Sequence, residues 1–222
     1  MARGRGSLLS ALFLAITIGA AGWLGSFAVL YESRDAATAV NWARLGSFFS
    51  NLIPAAIFHF CVVFVGRRRA FRGAVAFCWA FSFLIAILSV TTGLFVRGVW
   101  HYPWGYYVRG AILNLSWITI ATGMLAAGVY LIWRASHELE GISRDGARAM
   151  VLAFSVASLA LIDFLPTIGI GVRPFCFLAI LGFVAVAANS VWRYHIVELT
   201  PEYAAAQILA TMKSAVIVIN LE

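Results

Sequence analysis

The 222-residue sequence is 63% hydrophobic and 11% charged, with a formal net charge of +7 and a mean hydropathy of +0.92. Water-soluble domains do not have this composition, and several apolar runs reach the roughly 20 residues that a helix needs to cross a bilayer core. The runs lack the strict alternation of an outer-membrane barrel, and the positive charge is almost all arginine in short loops between them, which is a topology signal rather than a nucleic-acid-binding one.

Six membrane-spanning helices are predicted in chain order, at 7–31, 43–65, 74–96, 111–133, 150–169 and 174–192. The first follows Arg3 and Arg5 and exceeds the roughly 7–15-residue core of a signal peptide, so it reads as a retained span. With the C-terminal side inside, Arg67, Arg68, Arg69, Arg72, Arg134, Arg144, Arg148 and Arg193 also fall inside, against Arg34, Arg44, Arg97, Arg109 and Arg173 outside. That bias follows the positive-inside rule and puts the N-terminus inside as well. Small residues four apart (Ala15 with Gly19, Gly123 with Ala127, Ala153 with Ala157) predict close helix packing. Cys61, Cys78 and Cys176 each lie in an apolar run without close pair spacing and read as buried thiols.

The loop at 97–110, RGVWHYPWGYYVRG, gathers Trp100, Tyr102, Trp104, Tyr106 and Tyr107 around His101, Pro103 and Gly105. Aromatic rings with polar tips favour the headgroup region, so an interfacial belt is the first reading and a lid over an outward-facing pocket the sharper one. Asp163 is the single acid inside a predicted span, in LIDFLPTIGIG. It must pair, face the bundle interior or hold a proton; pairing with Arg173, Arg97 or Arg109 is one possibility, and reading a ligand or a proton is the other. Pro166 frees a carbonyl one turn back, and a helix break is predicted there. Asn51, Ser89, Thr91, Thr92, Asn114, Ser116 and Thr167 fall in the outer halves of their spans; they either converge on a polar cavity or bond their own helix, and Pro54 adds a second kink near Asn51. His59 is the one histidine inside a span, without the partners a haem or metal needs, and reads as a hydrogen-bonded packing residue. No catalytic motif or metal-ligand cluster is present, and no cofactor is expected.

After the last span the chain turns polar. Thr200 is an N-cap residue, Pro201 suits the first helical position and Glu202 sits where the helix dipole favours an acid. An exit helix is therefore predicted across 193–214, with Ala205, Ile208, Leu209 and Met212 as an apolar stripe that needs a partner. Residues 215–221, AVIVINL, read as a buried strand, which is unstable alone, so a second domain is expected to begin at 215–222, with the sequence shown stopping inside it.

The run Asp163-Phe164-Leu165-Pro166, the later Pro174, the exit Arg193-Tyr194-His195-Ile196-Val197-Glu198-Leu199-Thr200-Pro201 and the stretch ILATMKSAVIVI at 208–219 resemble the N-terminal seven-helix membrane region of bacterial sensor histidine kinases at its junction with a PAS domain. Trp104-Gly105-Tyr106 and the segment 51–58 around Pro54 are similar too. The resemblance runs from about Asn41 onward and departs from the family in having six predicted spans, the first of seven being absent. It implies an all-α integral membrane bundle over 1–192, a signalling helix over 193–214 and the start of a PAS-like domain at 215–222. The implied function is a sensory input domain of a bacterial inner-membrane receptor, with both ends of the bundle region cytoplasmic. Output would come through kinase domains and a response regulator, with a diguanylate cyclase as the second choice, neither lying in this chain. Expected partners are the lipid bilayer, a second copy of the chain and a small-molecule or membrane signal; no nucleic acid is expected. Candidate sensing residues are Asp163, Pro166, Trp104, Tyr106, Asn51, Asn114 and Arg173, and candidate relay residues Arg193, Thr200, Pro201, Leu209 and Met212. The competing reading is a small transporter or channel, which Asp163, Pro54 and Pro166 favour and the absence of an internal repeat opposes.

Overall fold

The computed structural model describes residues 3–138 and 141–194. Helices α1 (Arg3–Tyr31), α2 (Ala36–Phe64) and α3 (Arg72–Thr91) come first, then strands β1 (Val96–Tyr102) and β2 (Gly105–Gly110). Helices α4 (Ile112–Glu138) and α5 (Gly141–Ser158) follow, then a 3₁₀ segment (Leu159–Ile168) and α6 (Cys176–Tyr194). Among the described residues, five helical stretches are long and apolar enough to cross a membrane: Leu8–Tyr31, Ala36–Phe64, Arg72–Thr91, Ile112–Glu138 and Arg144–Ile168. The sixth predicted span is present as α6, whose 19 residues reach about 28 Å at 1.5 Å per residue, close to a bilayer core of about 30 Å; its described apolar stretch is Cys176–Ala187.

α2 is the central helix. Its span is 67% buried, against 28–33% for the other four, and it packs on α1, α3, α4 and both strands. It starts before the predicted 43 because Asp35 caps it: Oδ1 accepts the Thr38 N–H at 2.8 Å and Oδ2 accepts the Thr38 hydroxyl at 2.9 Å. The helix continues through Pro54, whose missing N–H leaves the Ser50 carbonyl without its helical donor. Against α1 the fit is reciprocal. A Cβ at Gly22 would stand 2.5 Å from the Phe49 ring, and one at Gly46 would stand 2.5 Å from the Phe27 ring, so each helix offers a glycine to the other's phenylalanine. Of the predicted small-residue contacts, Gly19 does meet Ile53 of α2, whereas Gly123 meets nothing and the α4 glycine against α2 is Gly128, at Cys61 and Phe58. His59 is hydrogen-bonded as read from the sequence, its Nδ1 accepting Trp79 Nε1–H at 3.2 Å.

Three apolar clusters form the core, a small one around Phe58, Val62 and Met124 and two larger ones. Phe60, Ile132, Phe154 and Phe183 fill one; Trp23, Phe27, Leu30, Phe95, Tyr107 and Trp117 fill the other. Phe77, Leu84, Leu152 and Leu178 among others stay exposed, as side chains facing acyl chains do.

The all-α expectation is corrected at one place. α3 ends at Thr91, not 96, because Thr92 takes an extended conformation and its hydroxyl bonds back to the Leu88 carbonyl at 2.7 Å. Val96 then opens an antiparallel hairpin with register Trp100↔Tyr107, His101↔Tyr106 and Tyr102↔Gly105. The fifth span changes character part-way, turning from α-helix to 3₁₀ after Ser158. The predicted strand at 215–222 and the predicted helix beyond residue 194, with Thr200, Pro201, Leu209 and Met212, lie outside the described residues; Arg193 falls in the last turn of α6.

Candidate functional site at the hairpin end

The 3₁₀ segment, LALIDFLPTI, is where a membrane helix is broken and then restarted. Pro166 donates no N–H, and Gly169 ends the segment in the left-handed region at φ 95°, its N–H reaching Pro166 O. The predicted break is therefore real, but the 3₁₀ segment begins at Leu159, seven residues before Pro166. Tight 3₁₀ geometry and the proline leave carbonyls that need donors, and in a lipid-facing bundle water does not supply them cheaply.

The hairpin supplies them. The Tyr107 hydroxyl donates to the Asp163 carbonyl, the Tyr102 hydroxyl to the Pro166 carbonyl at 2.9 Å, and Trp100 Nε1–H to the Thr167 carbonyl at 3.4 Å. Three aromatic side chains of one hairpin thus hold the broken helix through their polar tips. Burial raises the Tyr102 and Tyr107 phenols above the ordinary tyrosine value, Tyr107 far above it. Both therefore stay protonated as donors at neutral pH.

The Asp163 side chain points the other way. At 1% exposure it is enclosed, and its two oxygens accept the main-chain N–H groups of Phe175 and Cys176 at 2.9 and 2.8 Å. These open α6, where the helix dipole favours an acidic group. Asp163 is thus a long-range cap for α6. The arginine pairs considered for it do not form: Arg109 lies instead over the Trp100 ring at 4.4 Å. Phe164, the next residue, stacks on Trp23 at 6.1 Å and meets Trp117 edge-on at 5.4 Å. All three rings line a partly open apolar cleft of about 260 Å³.

The hairpin tip sits on the end of α1. Gly105 has φ 127°, and a Cβ there would stand 2.5 Å from the Tyr31 carbonyl oxygen. Tyr31 stacks on Tyr107 and meets Trp104 edge-on. Beside this contact a groove of about 540 Å³ runs between α1 and the start of α6, with Tyr31, Trp104, Arg173 and Phe177 on its walls.

Of the predicted sensing residues, Trp104 and Arg173 line this groove, and Asp163 and Pro166 form its neighbouring 3₁₀ segment. Tyr106 packs against His101 at 4.7 Å on the hairpin. Asn51 and Asn114 are fully enclosed and line neither cavity. Both Asn51 side-chain polar atoms and Asn114 Oδ1 are without a partner. The hydroxyls of Ser89, Thr91, Thr92, Ser116 and Thr167 bond carbonyls one turn back in their own elements, so no shared polar cavity forms from them. Tyr31 and the Phe175–Cys176 main chain were not singled out by sequence, and Tyr102 and Tyr107 stood out only as members of the aromatic loop, not as donors to the broken helix. Two signals pointed at them: Tyr102-Pro103-Trp104-Gly105 is a turn between β-prone runs, and no capping residue stands before Cys176. Among the described residues, no cluster of histidine, cysteine, aspartate and glutamate is arranged to hold a metal.

The family model for the N-terminal 7TM region of histidine kinase matches residues 1–201. Neither a curated protein nor a solved structure matches the chain.

Proposed function

We propose that this chain, which belongs to the family of N-terminal 7TM regions of histidine kinases, is the sensory input region of an inner-membrane receptor. It is a multi-pass membrane protein, as its apolar helices and its family require. In the proposed topology the hairpin end faces outward, because Arg67, Arg68, Arg69, Arg72 and Arg134 stand at the opposite end. Six helices cross or enter the bilayer in this reading, the N-terminus is cytoplasmic, and the chain beyond α6 leads through a signalling helix into a PAS-like domain. Arg193, Thr200, Pro201, Leu209 and Met212 lie on that relay. In a dimer the stripe formed by Leu209 and Met212 packs on its copy, and phosphotransfer to a response regulator is the output.

One observation carries this reading. A single segment, Leu159–Ile168, is held on one side by donors from the hairpin and on the other grips the first N–H groups of α6. A displacement of the hairpin is thereby passed to the last helix of the bundle without any enzyme chemistry in this region. Such an element has two arrangements to offer only if a stimulus favours one of them, so the stimulus acts at Trp104, Tyr106, Arg173 or the segment bearing Asp163 and Pro166.

The test is autophosphorylation of the full-length protein in membrane vesicles. Asp163→Asn and Tyr102→Phe are expected to shift basal autophosphorylation several-fold at normal expression. Unchanged output from both, across all stimuli tried, removes this junction from signalling. Thiol labelling of His101→Cys from outside intact cells checks the orientation.

A further inference from the structure

We infer that the groove between α1 and the start of α6 binds an anionic amphiphile, a carboxylate or phosphate head on an unbranched alkyl tail. The inference rests on the sensor reading for its consequence in signalling, while the binding itself stands on the groove alone.

Leu24, Phe27, Ala28 and Tyr31 all line the groove, and their spacing of i, i+3, i+4 and i+7 places them on one stripe of α1. That stripe descends about 10 Å from Tyr31 at the helix end to Leu24 within the span, at 1.5 Å per residue. Phe177 of α6 faces it. The lower part is therefore an apolar strip running along the membrane normal, the direction in which an alkyl tail lies.

The polar groups are all at the upper end. Arg173 is exposed and makes no ion pair or hydrogen bond among the described residues, and no partner is found there for the Tyr31 hydroxyl either. No carboxyl group lines the groove. The acid in the adjoining segment, Asp163, directs both oxygens to the Phe175 and Cys176 N–H groups and so leaves Arg173 without a counter-charge. A guanidinium fork at the head of an apolar strip matches a carboxylate or phosphate, which accepts from it. A cationic head is repelled by Arg173, and an uncharged one forgoes the charge-assisted bond. The volume of about 540 Å³ lies within the usual range of roughly 300–1,000 Å³ for small-molecule sites.

The site also stands where it matters. Arg173 and Pro174 directly precede the two N–H groups that Asp163 caps, and Trp104 is the hairpin tip. A head group drawn in between Arg173 and Trp104 acts on both sides of the held segment at once.

The experiment places the full-length protein in nanodiscs of zwitterionic lipid and follows tryptophan fluorescence on titration with dodecanoate and dodecyl phosphate. Dodecanol and dodecyltrimethylammonium serve as uncharged and cationic controls. Saturable binding of both anions, at least tenfold tighter than either control, is expected. Arg173→Gln should lose that preference while Arg173→Lys keeps most of it, and Trp104→Phe should remove most of the signal change. Equal binding of dodecanol, or an unaltered preference in Arg173→Gln with normal folding by circular dichroism, overturns the inference. Repeating the titration with anionic phospholipid in the nanodisc separates the sources of the head group. Competition identifies a bilayer lipid and its absence a free amphiphile, and both outcomes keep the class. Binding without any change in autophosphorylation would reject the sensor reading and leave the groove standing; loss of binding would reject the groove alone.

Discussion

Asp163 Oδ2 accepts the main-chain N–H of Cys176 at 2.8 Å across 13 residues of chain, so the acid of a helix that stops is the cap of the helix that starts. With Phe175 it satisfies two donors, one buried and one half-buried, that no local residue reaches. Asp163→Ala leaves both without an acceptor, at about 1–3 kcal/mol each. Asp163→Asn keeps one acceptor and turns an amide N–H₂ toward the other donor, so it should cost roughly half as much. The midpoint of thermal unfolding in detergent should fall in the order wild type, Asn, Ala. An Asn variant as stable as wild type would mean the second bond contributes nothing.

Tyr107 joins the hairpin to the same residue through the Asp163 carbonyl, and its ring is packed by Phe27, Tyr31 and Trp104. Tyr107→Phe retains the ring and removes only the donor, for an expected loss of about 1–3 kcal/mol from the unpaired carbonyl.

The same residue predicts a pH dependence. Because burial holds the folded phenol well above its unfolded value, its contribution is complete below about pH 10 and is lost as pH rises beyond that value. Wild-type stability should therefore fall between about pH 10 and 12, and that part of the fall should be absent from Tyr107→Phe. Parallel alkaline curves for the two proteins would show that Tyr107 does not set the slope.

Hydropathy was enough to place the helices, because apolar length is what a bilayer selects, and the break near Pro166 was legible from a missing donor. The sequence also exposed Asp163 as a group in need of an explanation. What it did not reveal was the partner, since capping rules look at the residue just before a helix, and Asp163 lies 12 residues from Phe175. The hairpin was obscured for a different reason. Tryptophan and tyrosine at a membrane boundary satisfy an interfacial belt and a strand equally well, and only the tertiary position of Tyr107, at 1% exposure, distinguishes a buried clasp from a surface anchor. Likewise, the outer-half hydroxyls had local carbonyls within reach, which is why they line no cavity.

Gly105 sets how closely the hairpin tip approaches α1. Its φ of 127° is a region that side chains rarely adopt, and an added Cβ would stand 2.5 Å from the Tyr31 carbonyl oxygen. Gly105→Ala should therefore lift the tip or strain it, at about 1–3 kcal/mol for the backbone alone. Trp104 fluorescence should shift as its ring loses Tyr31 and Tyr102. An unchanged spectrum and midpoint would place the tip elsewhere than on Tyr31.

The α1–α2 contact gives the last prediction, because its two glycine seats are separable from the hairpin. Phe49 sits where a Cβ on Gly22 would be, at 2.5 Å from its ring carbon. Gly22→Ala must push either the ring or the helix, and overpacking of this kind costs about 1–3 kcal/mol. If the ring is the obstacle, shortening it should relieve the clash. The double variant Gly22→Ala with Phe49→Leu should then be more stable than the sum of the two single changes predicts, with a coupling of about 0.5–3 kcal/mol. Additive losses would mean that the methyl is accommodated by helix separation, and α1 would then be free to slide on α2 without unlocking Phe49 from its glycine.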